Sequence, residues 1–130
     1  RNQAFRQNQV KYQQRTPPQG TITMFTKATT GGYKELLPGV HLKTLVYGDK
    51  SLLSQFWLEK GAKIPTHQHP QEQTGYLISG RLAFIVAGEA IVAEAGDSWS
   101  IPGDVPHSAD VLEEAIVIEV FSPVREDYLP

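Results

Sequence analysis

Two of the four histidines of this 130-residue chain stand two positions apart, His67 and His69, within the run Gly61-Ala-Lys-Ile-Pro-Thr-His-Gln-His-Pro-Gln-Glu-Gln73. A neutral imidazole nitrogen is a ligand for Zn, Ni, Fe, Mn or Cu, and chelation needs several such nitrogens aimed at one point. In an extended strand residues i and i+2 project to the same side, so this pair meets the requirement. A third imidazole, His107, closes the similar stretch Gly96-Asp-Ser-Trp-Ser-Ile-Pro-Gly-Asp-Val-Pro-His107. Pro65 and Pro106 stiffen the chain beside the histidines, and Pro70 holds His69 toward extended conformations. Together these features predict a site for one divalent transition metal. The fourth ligand is Glu72 or Gln73. A carboxylate is the stronger ligand, whereas positions 67, 69 and 73 share a face if the strand is continuous.

A second group of chemically capable residues lies near the C-terminus, in Glu119-Val-Phe-Ser-Pro-Val-Arg-Glu-Asp-Tyr128. Beside an open divalent ion, Glu119, Phe121 and Arg125 would serve as proton carrier, aromatic wall and carboxylate clamp. The plainer alternative is a Glu119–Arg125 salt bridge closing the mouth of the fold. Along 115–121, Ile116, Ile118 and Val120 share one strand face, and Val117, Glu119 and Phe121 the other. Both faces are apolar, so the strand is expected to be covered on both sides. Glu119 is then interior with a partner, or the strand is less thickly covered than this pattern implies, because an unpaired buried carboxylate is too costly to persist.

The elements that must position these groups read as strands. Short β-branched or aromatic runs at 21–27, 41–47, 52–58, 75–78, 81–86, 90–93, 97–101, 107–110 and 115–121 alternate with turn signals built on Gly and Pro. Such a pattern predicts an all-β sandwich or barrel. No segment carries a long apolar stripe of period 3.6, so helices are few or absent.

Composition bounds the rest. The length suits one domain, and the absence of cysteine removes disulfides, thiolate ligands and cysteine nucleophiles together. No apolar run approaches a membrane span, which predicts a soluble, cytoplasmic protein with no membrane partner. The net charge of −2 hides an asymmetry: residues 1–20 hold four basic residues, six glutamines and no acid. The sequence thus divides into a polar, basic arm at 1–20 and a single barrel domain at 21–130. The arm is flexible, or docks on the domain or a partner subunit through Phe5, Val10 and Tyr12. The remainder is acidic, which argues against nucleic acid as a partner.

These residues resemble the motifs of the cupin superfamily. The first motif, Gly-x5-His-x-His-x3or4-Glu-x6-Gly, is matched by Gly61, His67, His69 and Gly80, with Gln73 where the glutamate stands. The second, Gly-x5-Pro-x-Gly-x2-His-x3-Asn, is matched by Gly96, Pro102 and His107, with Asp104 and Val111 at the Gly and Asn positions. The resemblance covers roughly 40–123 and implies a small antiparallel double-sheet β-barrel of jelly-roll type. It implies His67, His69, Gln73 and His107 as the metal ligands. Glutamine in place of glutamate leaves the ion its full positive charge, which favours anionic guests.

The tail is also similar to that of small cupins of the pectin-degradation type, which carry Asp-x-Phe-Ser-Pro-x-Arg-Glu-Asp-Tyr. That likeness implies linearisation of unsaturated uronates, with Glu119 at the Asp position and Arg125 at the Arg position. The extra methylene of Glu119 shifts its carboxylate by about 1 Å, a displacement that matters to catalysis. The sequence therefore predicts a metal-dependent isomerase or lyase-like enzyme acting on a small sugar acid, with Zn, Ni, Mn or Fe as cofactor. A metal-dependent dioxygenase and a non-catalytic binding module are the alternatives. The resemblance also implies a homodimer formed by sheet packing or strand exchange, which the two-sided apolar strands fit; a monomer whose two sheets cover each other is the alternative.

Overall fold

The computed structural model describes residues 24–130, and among them every regular element but one is a strand. The strands are β1 (Lys34–Leu37), β2 (Val40–Tyr47), β3 (Leu52–Leu58), β4 (Lys63–His67), β5 (Glu72–Val86), β6 (Glu89–Glu94), β7 (Ser98–Ile101) and β8 (His107–Ser122). A single 3-10 turn, Glu126–Tyr128, follows β8. The all-β expectation holds, and β2, β3, β6 and β7 match the expected runs to within a residue at either end.

Every ladder is antiparallel, in the order β1-β2-β3-β8-β5-β6, with β4 added on β8 and β7 on β5. Two long strands organise this. β5 and β8 pair from Glu72↔Ser122 to Val86↔His107 and exchange outer partners half-way. The C-terminal half of β8 lies on β3 and its N-terminal half on β4; β5 passes from β7 to β6. Two packed layers of a jelly-roll thus share one pair of strands.

Each long strand was expected as two: β5 because Ser79-Gly80 reads as a turn, and β8 because the runs expected at 107–110 and 115–121 leave 111–114 between them. The chain instead crosses the first site as a bulge. The β5–β8 register shifts between Leu77 and Leu82, and the buried positions of β5 change from odd (Gln73, Gly75, Leu77) to even (Leu82, Phe84). An irregularity of this kind exchanges the two faces of a strand, so the same strand keeps its apolar side inward in both layers. Gly80 makes this possible: its φ is +94°, and a Cβ there would stand 2.2 Å from the Glu114 carbonyl oxygen.

Other differences have equally local causes. Of the strand expected at 21–27, positions 21–23 lie outside the described residues, and 24–27 form no strand, with Met24 and Phe25 exposed. The basic arm also lies outside the described residues. Neither β1 nor β4 was expected. β1 is four residues long and mostly exposed, and β4 contains Pro65, which has no N–H for a ladder. The β4–β8 register shifts at that proline, between Ile64 and His67, and so brings His67 opposite His107.

Leu52, Leu77, Leu82, Ile101 and Phe121 are almost wholly buried between the layers. On β8, Ala115, Val117, Glu119 and Phe121 face inward as expected, while Ile116, Ile118 and Val120 are half-buried on the outside. His107 and Glu119 both line one cavity of about 280 Å³. Twelve residues of straight strand would separate them by roughly 40 Å, so β8 must curl around the cavity. No helix among the described residues is long and apolar enough to cross a membrane.

Candidate metal centre

The cavity opens between the layers, and His67, His107 and Gln73 line it. His67 ends β4 and His107 begins β8, directly across the ladder, with ring centroids 4.2 Å apart. His69 departs from the expected strand geometry. It lies in the connection after β4, beyond the last ladder residue, so the i, i+2 argument does not place it. The second motif does: the Asp104 N–H donates to the His69 carbonyl at 2.7 Å, and Gly103 sits so close that a Cβ would meet the Pro70 carbonyl oxygen at 2.3 Å. Asp104 has φ +61°, a left-handed conformation that Asp tolerates and that explains why the motif favours Gly there.

The backbone also sets the protonation of each ring. The Nδ1–H of His67 donates to the Pro65 carbonyl (2.9 Å), that of His69 to the Gln71 carbonyl (3.0 Å), and that of His107 to the Val105 carbonyl (2.8 Å). A carbonyl can only accept, so Nδ1 carries the proton and Nε2 keeps its lone pair, the arrangement typical of metal-binding histidines. Burial, then the charge of Arg125, pushes the His69 pKa down; burial is likewise the main cause for His107, with neighbouring His67 adding to it. Both shifts favour the neutral ligand form.

One ligand atom from each of the three histidines lies within 4.8 Å of the others, so the group can hold a metal ion. Two observations test the fit. His107 Nε2 is buried and has no hydrogen-bond partner among the described residues, an orphan of the kind that proteins seldom tolerate. His69 Nε2, lacking a proton, faces Gln73 Oε1 at 3.0 Å. Two acceptors facing each other in a buried site repel unless a cation lies between them or the amide turns over. The donor set therefore fits a divalent ion. Gln73 is buried at the second position of β5, whereas Glu72 beside it is exposed on the opposite face.

The C-terminal residues meet the same cavity. Phe121 is buried and edge-on to His69, with centroids 5.7 Å apart. Arg125 stacks over Tyr128 at 4.1 Å and Phe121 at 5.3 Å, and its Nε donates to Asp127 Oδ1 at 3.2 Å. The Glu119–Arg125 salt bridge weighed as an alternative does not form; Asp127 takes that role because it follows Arg125 on the 3-10 turn. Glu119 is buried, and its Oε1 accepts a hydrogen bond from the Trp99 indole Nε1–H at 3.0 Å. Its Oε2 is buried and has no hydrogen-bond partner among the described residues.

Burial raises the Glu119 carboxyl from its ordinary 4.5 to about 8, and the Trp99 N–H, then Gln73 and Arg125, only partly offset this. The Gln73 amide is near enough to favour ionisation without reaching hydrogen-bond geometry to Oε2. Trp99 and Tyr128 were not foreseen as site residues. The signal for Trp99 was present in Ser98-Trp99-Ser100, where a lone large aromatic between serines marks the inward face of a short strand.

Residues 55–121 match the cupin domain family, and the chain belongs to that family. Solved structures agree. An RmlC-like cupin from Shewanella frigidimarina superposes with a TM-score of 0.78 at 29% identity, over 82% of this chain and 96% of that one. KdgF from Halomonas sp. gives 0.77 at 28% identity, over 82% and 99%. A salicylate 1,2-dioxygenase from Pseudoaminobacter salicylatoxidans, at 22% identity and a TM-score of 0.63 over 68% of this chain and 27% of that one, shares the fold. Among curated proteins no sequence matches the chain.

Proposed function

We propose that this cupin is a mononuclear metal enzyme acting on a small carboxylate-bearing substrate, foremost an unsaturated sugar acid that it converts to the linear keto form. The observation that carries this reading is that a cluster of three imidazoles, two of which line the cavity, meets a buried carboxyl and a guanidinium there. His67, His69 and His107 would hold the ion, with Gln73 Oε1 as fourth ligand; the set suits Zn, Ni, Mn or Fe. When bound, a divalent ion supplies Lewis-acid polarisation and an uncompensated positive charge.

The chain's own groups supply the rest. Arg125 is held flat by Tyr128 and committed through Nε to Asp127, so its terminal nitrogens are the ones that take the substrate carboxylate. Glu119 holds or releases a proton at Oε2, the oxygen left without a partner. Val40, Phe56, Leu58 and Leu82 form apolar walls that exclude water. A fully hydroxylated sugar would leave hydroxyls unpaired against those walls. An unsaturated one has exchanged a hydroxyl for a C=C bond and fits better. The tail resemblance and the likeness to KdgF support the same reading.

The same walls also suit an aromatic ring, which keeps metal-dependent dioxygenation as a second reading. Oxygen uptake with catechol-like or diketone substrates separates the two. The half-buried outer row Ile116, Ile118 and Val120, beside exposed Tyr76 and Ile78, supports a homodimer in which a second copy covers this face.

Element analysis of the purified protein, followed by loss of the ultraviolet absorbance of an unsaturated uronate with and without chelator, tests the proposal. His67→Ala should lose stoichiometric metal and turnover, and Glu72→Ala should retain both. Arg125→Ala should raise KM roughly 10- to 100-fold, the loss of one charge-assisted contact. Glu119→Ala should lower kcat by about 10²- to 10⁴-fold. Undiminished turnover in both of these variants would refute the assignment.

A further inference from the structure

Glu119, Gly75 and Trp99 stand in one row across three adjacent strands. Gly75 on β5 is paired with Glu119 of β8 on one side and with Trp99 of β7 on the other. Residues two strands apart are separated by roughly 10 Å, beyond the reach of most neutral side chains carrying an N–H. The Trp99 indole nevertheless places Nε1 3.0 Å from Glu119 Oε1. It does so by crossing directly over Gly75: a Cβ at that position would stand 2.2 Å from Nε1 and 2.3 Å from Cε2 of the ring. The ring is steadied on another side by Phe84, at a centroid distance of 4.7 Å.

We propose that Trp99 is a positioning residue for Glu119, and that Gly75 is kept free of a side chain so that the indole can lie across the sheet and fix Oε1. The role assigned to Glu119 rests on the function proposed above; the position assigned to Trp99 does not. An indole N–H is a neutral donor that never titrates. It can therefore hold the carboxyl in place without adding the positive charge that a Lys or Arg of equal reach would bring. With Oε1 occupied, Oε2 is the oxygen left without a partner among the described residues, on a side chain that lines the cavity. The row thus selects which oxygen works and where it stands, and a misplacement of about 1 Å there is worth on the order of a hundredfold in rate.

The test uses the full chain loaded with zinc. The protein has two tryptophans, so the indole ¹H–¹⁵N spectrum has two signals, with Trp57 as internal reference. Replacing the acceptor with Glu119→Leu should shift the Trp99 indole signal and speed its hydrogen exchange while leaving the Trp57 signal in place. Gly75→Ala should displace the same signal, which Trp99→Phe assigns by removing it. On the unsaturated uronate, Trp99→Phe should lower kcat roughly tenfold to a hundredfold at unchanged zinc content and KM. In a Glu119→Gln background it should have no further effect, since a residue acting through another is not additive with it. An indole signal indifferent to Glu119→Leu overturns the proposal, as does additivity of the two substitutions. Should the wild-type protein not turn over the uronate, that reading fails, and the indole spectrum still decides the position of Trp99.

Discussion

Glu119 is the residue in which sequence and structure interact most. Its place on one face with Val117 and Phe121 followed from strand parity, although the opposite face is equally apolar. Its partner did not: Trp99 lies twenty positions away and two strands across, a contact set by pairing register rather than by spacing. Burial gives the metal-free protein a measurable signature. The folded carboxyl titrates at about 8, above its ordinary 4.5, so the folded chain keeps a proton that the unfolded chain releases. The resulting stability is complete below about pH 4 and declines as pH rises through 8, by on the order of a few kcal/mol. Thermal melts of metal-free protein between about pH 5 and 8 should show this decline, and Glu119→Gln should flatten it. Parallel slopes in the two proteins would count against the burial argument.

At the scale of elements, legibility depended on whether a strand's information is local. β3 was read to its end residues because Leu52, Ser54, Phe56 and Leu58 alternate with half-exposed neighbours. β5 was divided because a glycine inside a strand looks like a turn until its partner is known, and β8 because the acidic pair Glu113-Glu114 stands between its two apolar runs. β4 was hidden for the opposite reason, since its Pro65 argues against a strand while the ladder simply shifts register there. Gly80 offers the sharpest check. Its Cβ would collide with backbone atoms of Glu114 and Ala115 at positive φ, and neither can be cured by a rotamer change. Gly80→Ala should cost more than about 1 kcal/mol, seen as a fall in Tm of several degrees. Gly48→Ala, with nothing within 4 Å, should change Tm little. Equal melting of the two variants would show that the bulge accommodates a side chain.

For the whole molecule, the metal motifs carried most of the legible information: glycines and prolines spaced around three histidines were enough to predict one barrel and one site. The surface was less legible, because an apolar strand face looks the same whether a sheet or a subunit covers it. If a second copy covers Tyr76, Ile78 and Ile118, sedimentation at micromolar concentration should report a dimer. Ile78→Lys should then shift it to monomer without loss of zinc content or of the thermal transition. A wild-type monomer across that range would contradict the assignment of this face.

The burial of the four candidate ligands is graded. His67 is half-exposed, whereas His69, Gln73 and His107 are closed off from solvent. Because the rings are oriented by backbone carbonyls before any ion arrives, loading is a matter of sequence in time rather than of rearrangement. On the proposed ligand set, a cation taken up here would meet His67 before the inner ligands and would leave it last on release. The outermost histidine would then govern how fast the centre fills and empties, and the inner ligands which ion it retains.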